Sequence, residues 1–150
     1  MMMRRGIGLG ALLAALLSAA PAAGAPSGVV YGGETSQRWP VVVQEARDGK
    51  SIAKLVVALS FKCGHGAPIV NRDRFANLRL AGGGRFESRY GPVKTDNGDG
   101  TKTDYRGSVS GRLTSRKVTA VSRLSGDFHD ASGKRVDTCD SGKVSWTARP

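Results

Sequence analysis

The stretch SIAKLVVALSFKC, Ser51 to Cys63, decides the fold class. Ala53, Leu55, Val57, Leu59, Phe61 and Cys63 recur at every second position, while Lys54, Ser60 and Lys62 fall between them. A period of two places alternate side chains on opposite faces of a strand, so this segment predicts a strand with one buried face and aims Cys63 inward. Upstream, RWPVVVQEA (Arg38 to Ala46) reads as a second strand, and RDGK (Arg47 to Lys50) supplies a hairpin turn through Asp48 and Gly49. Pro40 has no N–H for a ladder, which puts it at the start or edge of its strand.

The C-terminal half repeats the pattern. In DYRGSVSGRL, Tyr105, Gly107, Val109, Gly111 and Leu113 share one face, and glycines on a core face predict the close approach of another segment. VTAVSRLSGDF and KVSWTAR follow as strands, with turns at DNGDGTK, TSRK and ASGKR. Short strands between turns, with no sustained helical period, predict an all-β fold: an antiparallel β-sandwich or flattened barrel. NRDRFANLRL (Asn71 to Leu80) breaks the alternation and is read as an irregular loop with at most one helical turn. Trp39 and Trp146, each among apolar neighbours, are assigned to the core.

The first residues bear on compartment. Arg4 and Arg5, an apolar run from Ile7 to Ala20 and a small-residue tract ending near Pro26 have the order of a secretory signal. The apolar run is shorter than the roughly 20 residues a bilayer core requires, and Pro21 closes it. Residues 1–25 are therefore expected to be a cleaved leader and residues 26–150 a single β-domain, exported and without a membrane span. Two cysteines in an exported chain predict one disulfide, Cys63 to Cys139. A zinc site drawn from these cysteines with His65 and His129 has no tight ligand spacing, so no metal and no cofactor is expected. On the last strand Val144 and Trp146 are even-numbered and Cys139 is odd, a mismatch that a glycine bulge at Gly142 would resolve.

The chain carries 23 Lys and Arg against 12 Asp and Glu, a net charge of +11. The excess is densest over Asn71 to Lys94, where six basic residues meet two acidic ones. Arg72, Arg74, Arg79, Arg85 and Arg89 stand there among Phe75, Phe86 and Tyr90, a composition suited to phosphates, sulfates or carboxylates. These five are the candidate anion-binding residues.

No catalytic residue is assigned. GSVSG centres on Val109 and so departs from the nucleophile elbow, and DFHD gathers Asp127, His129 and Asp130 without a partner that the sequence can supply. TDNGDGTKTDYR resembles a calcium loop but has Thr95 first and Arg106 last, where carboxylates are needed, and is read as a polar turn.

YGGETSQRWP at the start, two cysteines, and an ending that runs Cys139, Ser141, Gly142, Val144, Trp146, Thr147, Ala148 in the pattern C-x-S-G-x-V-x-W-T-A resemble a group of uncharacterised small secreted bacterial β-domain proteins. Arg38 stands where such proteins often have glycine. The resemblance implies a secreted β-domain and no particular chemistry. The expected function is that of a secreted, non-catalytic protein that meets an anionic cell-envelope polymer or an extracellular protein. The alternative is an inhibitor or accessory module of a secreted enzyme. Nucleic acid is not an expected partner.

Overall fold

The computed structural model describes residues 28–150, so the leader expected at 1–25 lies outside the described residues. Its antiparallel strands are β1 (Val30–Thr35), β2 (Pro40–Glu45), β3 (Ser51–Cys63), β4 (Ile69–Arg79), β5 (Arg85–Asp96), β6 (Lys102–Leu113), β7 (Val118–His129), β8 (Arg135–Asp140) and β9 (Val144–Arg149). A 3-10 turn at Gly82–Gly84 joins β4 to β5. The main path runs β4-β3-β2-β1-β9-β7-β6-β5, and β8 pairs with both β3 and β7. Pairing thus closes a ring of six strands, β3-β2-β1-β9-β7-β8 and back to β3, so the molecule is a closed barrel with β4 on one flank and β6–β5 on the other. One face of this curled sheet encloses a core that includes Tyr31, Val43, Leu55, Phe61, Phe75, Phe86, Leu124 and Trp146.

β3 carries the core because its alternation buries Leu55, Val57, Leu59 and Phe61 together, each buried aliphatic side chain contributing roughly 1.5–3 kcal/mol. At its start, however, the buried residue is Ile52 and not Ala53. Gln44 faces Lys54 while Glu45 faces Ile52, so Ala53 is an extra residue on β3 and the inner face changes parity there. The facing strand bends at the same level. Asn77 adopts φ 54°, and the inward residues of β4 pass from Asp73 and Phe75 to Leu78.

β4 corrects the reading of NRDRFANLRL as a loop. Arg72, Arg74 and Ala76 point outward and Asp73 and Phe75 inward, an ordinary period of two up to the bend at Asn77, on a strand paired with β3 from Phe61↔Ile69 to Ser51↔Arg79. The alternation was disguised because one of its buried residues is an aspartate.

At the far end Cys63 faces Cys139 in register, and their sulfurs are bonded. Cys139 is 1% exposed. It lies on β8, the strand before the last, but β8 and β9 form one run along β7. Ser125 faces Asp140 and Ser122 faces Val144, so three steps on β7 are matched by four on the β8–β9 run. The added residue sits beside Gly142, whose φ of 65° suits glycine, and it turns Cys139 and Trp146 to the same interior.

The β1–β2 hairpin is a wedge. β3 and the β8–β9 run touch at the cystine and then diverge, and the hairpin fills the gap between them. Its tip is Ser36 to Trp39, with Arg38 at φ 63°, the left-handed region in which glycine costs least. Gln37 reaches from this tip to β3: its Nε2 donates to Ser60 O at 3.1 Å and its Oε1 accepts from Ser60 N at 2.8 Å. One side-chain amide therefore takes the place of a strand residue between the start of β2 and the end of β8, which explains the glutamine of the TSQ turn.

Candidate functional site

The five candidate arginines do not form one patch. Arg72 and Arg74 project from the outer face of β4, opposite Ala58 and Val56 of β3. Arg89, on β5, is held by Glu87 at 3.0 Å. Arg79 ends β4 and Arg85 opens β5, and the two line one recess with Ala81, Phe86, Ser110 and Gly111. Backbone bonds fix this corner: Leu80 N donates to Lys50 O at 2.9 Å and Ala81 N to Arg85 O at 2.7 Å.

Residues that the sequence reading passed over join them. Arg112 directly faces Arg85 across β5–β6, and Ser110 faces Glu87. The signal was available, because the DNGDG turn sets the hairpin register; but the bulge at Gly91 and Pro92, between Tyr90 and Val93, displaces it. Arg106 and Arg123, also outward, each have a carboxylate: Asp127 at 2.7 Å for the first and Asp140 for the second. The Arg106 guanidinium holds the Asp127 carboxyl below its usual range, and Arg123 does the same for Asp140. Among the described residues no carboxylate lies within ion-pair distance of Arg79, Arg85 or Arg112.

From Ser110 and Arg112 a shallow groove crosses the outer faces of β7 and β9 to the end of β1, past Thr119, Val121, Ser145 and Thr147 to Glu34. Ladder geometry sets this order, for Arg112 faces Thr119, Thr119 faces Thr147 and Thr147 faces Glu34. The floor is hydroxyl-rich, with exposed Val121 as its apolar element.

A second group lies inside. Asp73 is 3% exposed. Its Oδ1 accepts from Tyr90 Oη at 2.7 Å and from Arg74 N at 2.8 Å, and its Oδ2 has no hydrogen-bond partner. Burial raises the Asp73 carboxyl above its ordinary pKa against those two bonds, and burial together with Asp73 raises the Tyr90 phenol. The Tyr90 ring packs on Phe75 with centroids 5.7 Å apart. Gly107 is what makes room: a Cβ there would lie 2.2 Å from the Tyr90 ring and 2.6 Å from Asp73 Oδ2. That is the close approach expected from glycines on the β6 core face.

The remaining motifs resolve as follows. Both cysteine sulfurs are in the bridge, so neither is a thiolate for zinc, and His65 lies 3.8 Å from Asp137. His129 Nδ1 lies 3.2 Å from Gly133 O and its Nε2 3.6 Å from Asp104, whereas Asp127 is engaged by Arg106 and Thr138. Asn97 to Thr101 is the β5–β6 turn, closed by Gly98 N to Asp96 Oδ1 at 2.8 Å and Thr101 N to Asp99 Oδ1 at 2.9 Å. Trp146 is buried, its Nε1 donating to Ser122 Oγ at 2.9 Å. Trp39, by contrast, is 37% exposed at the hairpin tip, because Pro40 starts β2 after it and leaves it outside the ladder. Among the described residues no helix is long and apolar enough to cross a membrane. Comparisons with family models, with curated proteins and with solved structures find no match to this chain.

Proposed function

We propose that the protein is an exported, non-catalytic binding domain whose partner is an anionic polymer of the cell envelope, met on the outer sheet face. The observation that carries this reading is the set of outward arginines on β4, β5 and β6 that lack a carboxylate, on a chain of net charge +11. Exposed charges are screened beyond about 8 Å at physiological salt, so local clustering is what turns general basicity into recognition. Export is supported by the leader-like first residues and by the cystine, a bond that persists in oxidising compartments. At physiological salt the protein should be retained on immobilised polyphosphate and co-sediment with isolated envelope. Elution in the void volume at that salt ends the reading.

A second reading, an accessory or inhibitory module for a secreted enzyme, has one observation in its favour. The exposed segment 64–68 follows the bridge and is pinned by Asp137, which accepts from Gly64 N at 2.9 Å and His65 N at 3.2 Å. A rigid exposed loop of this kind loses little freedom on binding. Saturable capture of a secreted enzyme, lost when residues 64–68 are replaced, would favour it.

A further inference from the structure

We infer that Arg85, Arg112 and Arg79 form a phosphate site, and that the groove beside it takes the hydroxylated body of a phosphorylated polyol or saccharide chain. This deepens the preceding reading and rests on it.

Two like-charge pairs face each other across ladders of this barrel, and they are treated differently. Asp104 faces Asp127 on β6–β7, and each has a cation near: Lys94 faces Asp104 across β5–β6, and Arg106 and Arg135 lie beside Asp127. Arg85 faces Arg112 on β5–β6, and among the described residues neither has a carboxylate. Facing residues stand about 5 Å apart at Cβ, where like charges destabilise a sheet. A third cation, Arg79, lines the recess with Arg85 and is likewise without a carboxylate, while Arg112 stands at the adjoining end of the groove. The acidic member of the recess, Glu87, is held by Arg89. The missing counter-charge is therefore an anion brought by a ligand.

Its chemistry follows from the donors. Guanidinium groups present parallel N–H forks that fit the oxygens of a phosphate, and several of them around one point suit a tetrahedral group with oxygens on more than one side better than a planar carboxylate. Ser110 belongs both to the arginine recess and to the groove, so one ligand spans the two. Beyond it the floor offers Thr119, Ser145 and Thr147 hydroxyls with Val121 between, which suits C–H and O–H groups of a polyol and not a second run of charge. Glu34 at the far end repels an anion there, so the polymer's phosphate is placed at the β5–β6 end.

The test uses the chain with its disulfide intact and three probes of equal length: glycerol phosphate oligomers, dextran sulfate and polyglutamate. Arg85→Ser with Arg112→Ser should weaken glycerol phosphate binding by about 30-fold, in line with the loss of two solvent-exposed ion pairs. Arg72→Ser with Arg74→Ser removes the same charge and should weaken it less than about threefold, as general screening alone dictates. Arg85→Lys with Arg112→Lys should fall between, since it keeps charge and loses the forks. Without ligand the Arg85, Arg112 serine variant should melt no lower than the parent, because it relieves repulsion; a lower melting point assigns the pair a structural role and overturns the inference. Equal weakening by the two serine variants, or tighter binding of polyglutamate or dextran sulfate than of glycerol phosphate, also overturns it and leaves the broader reading standing. If the parent binds none of the probes, both fall.

Discussion

The curled sheet is drawn together in two places by different means. At the cystine, β3 and β8 meet through a ladder and a covalent bond, with the side-chain amide of Gln37 filling the interval before β2 begins. At the opposite seam β4 and β5, the two ends of the strand path, share only the isolated pairing of Ala81 with Arg85. There the closure is made by side chains: Tyr90 on Phe75, Tyr90 Oη on Asp73, and Gly107 beneath them. The first closure is set by backbone register, which tolerates many side chains; the second depends on three or four particular ones, and a single atom can open it. Unpaired edges at β4 and β5 make that dependence consequential, since an open edge is a template for association.

The largest effect expected at the first closure comes from reduction. The bridge spans a sequence separation of 76, and breaking it should cost up to about 4.5 kcal/mol by the chain-entropy model. Urea unfolding with and without reductant measures this, and two titratable thiols in the native protein would remove the premise. At the seam the largest effect belongs to Gly107→Val, about 3 kcal/mol, because the new side chain must displace the Tyr90 ring or Asp73 in a packed interior. Gly32→Val is the control, with nothing within 4 Å of its Cβ and an expected change within about 0.5 kcal/mol. Similar losses for the two would erase the distinction between the closures.

Gln37→Ala should cost about 2 kcal/mol, by leaving Ser60 N–H and C=O without their partner. Gln37→Glu should recover only the half that accepts from Ser60 N, a difference readable in the thermal midpoint. The smallest and most diagnostic effect is at Asp73. Its folded pKa is raised above the ordinary 3.8, so between the unfolded and folded values the native state binds more proton at this group than the unfolded chain does. Stability from this group is complete below the unfolded value and is lost as pH rises through the folded one. Asp73→Asn should therefore match the parent at acid pH and exceed it progressively above about pH 4, the neutral amide still accepting from Tyr90. A stability difference independent of pH would show that Asp73 is not protonated in the native state.

Much of the first closure was legible in the sequence, and little of the second. Cys63 and its alternation announce a core strand, and the parity mismatch at Cys139 points to the bulge at Gly142 from sequence alone, because glycine and cysteine have few other reasons to stand there. The seam is written in residues that mislead. Asp73 looks like a solvated charge and so hid β4, and its neighbours Arg72 and Arg74 seemed to belong to a loop with Arg85 and Arg89. Nothing local to Asn71–Lys94 indicates that the residue facing Arg85 is Arg112; that knowledge needs the register of a hairpin with a bulge in it. Ala53 was placed inward for a like reason, since an extra residue on one strand is visible only from its partner.

The wedge formed by β1 and β2 also orders events in time. β1 takes β2 as one neighbour and β9 as the other, so an early strand waits for the last one to be delivered. Chains dominated by such distant pairings assemble slowly, and meanwhile leave strand edges uncovered. A nascent or translocating chain can set Gln37 on Ser60 once β3 has emerged, but the outer edge of β1 stays uncovered until Val144 to Arg149 arrive. β1 is thus paired on both sides only once β9 is present, and loss of Val144 to Arg149 would leave the first strand paired to β2 alone.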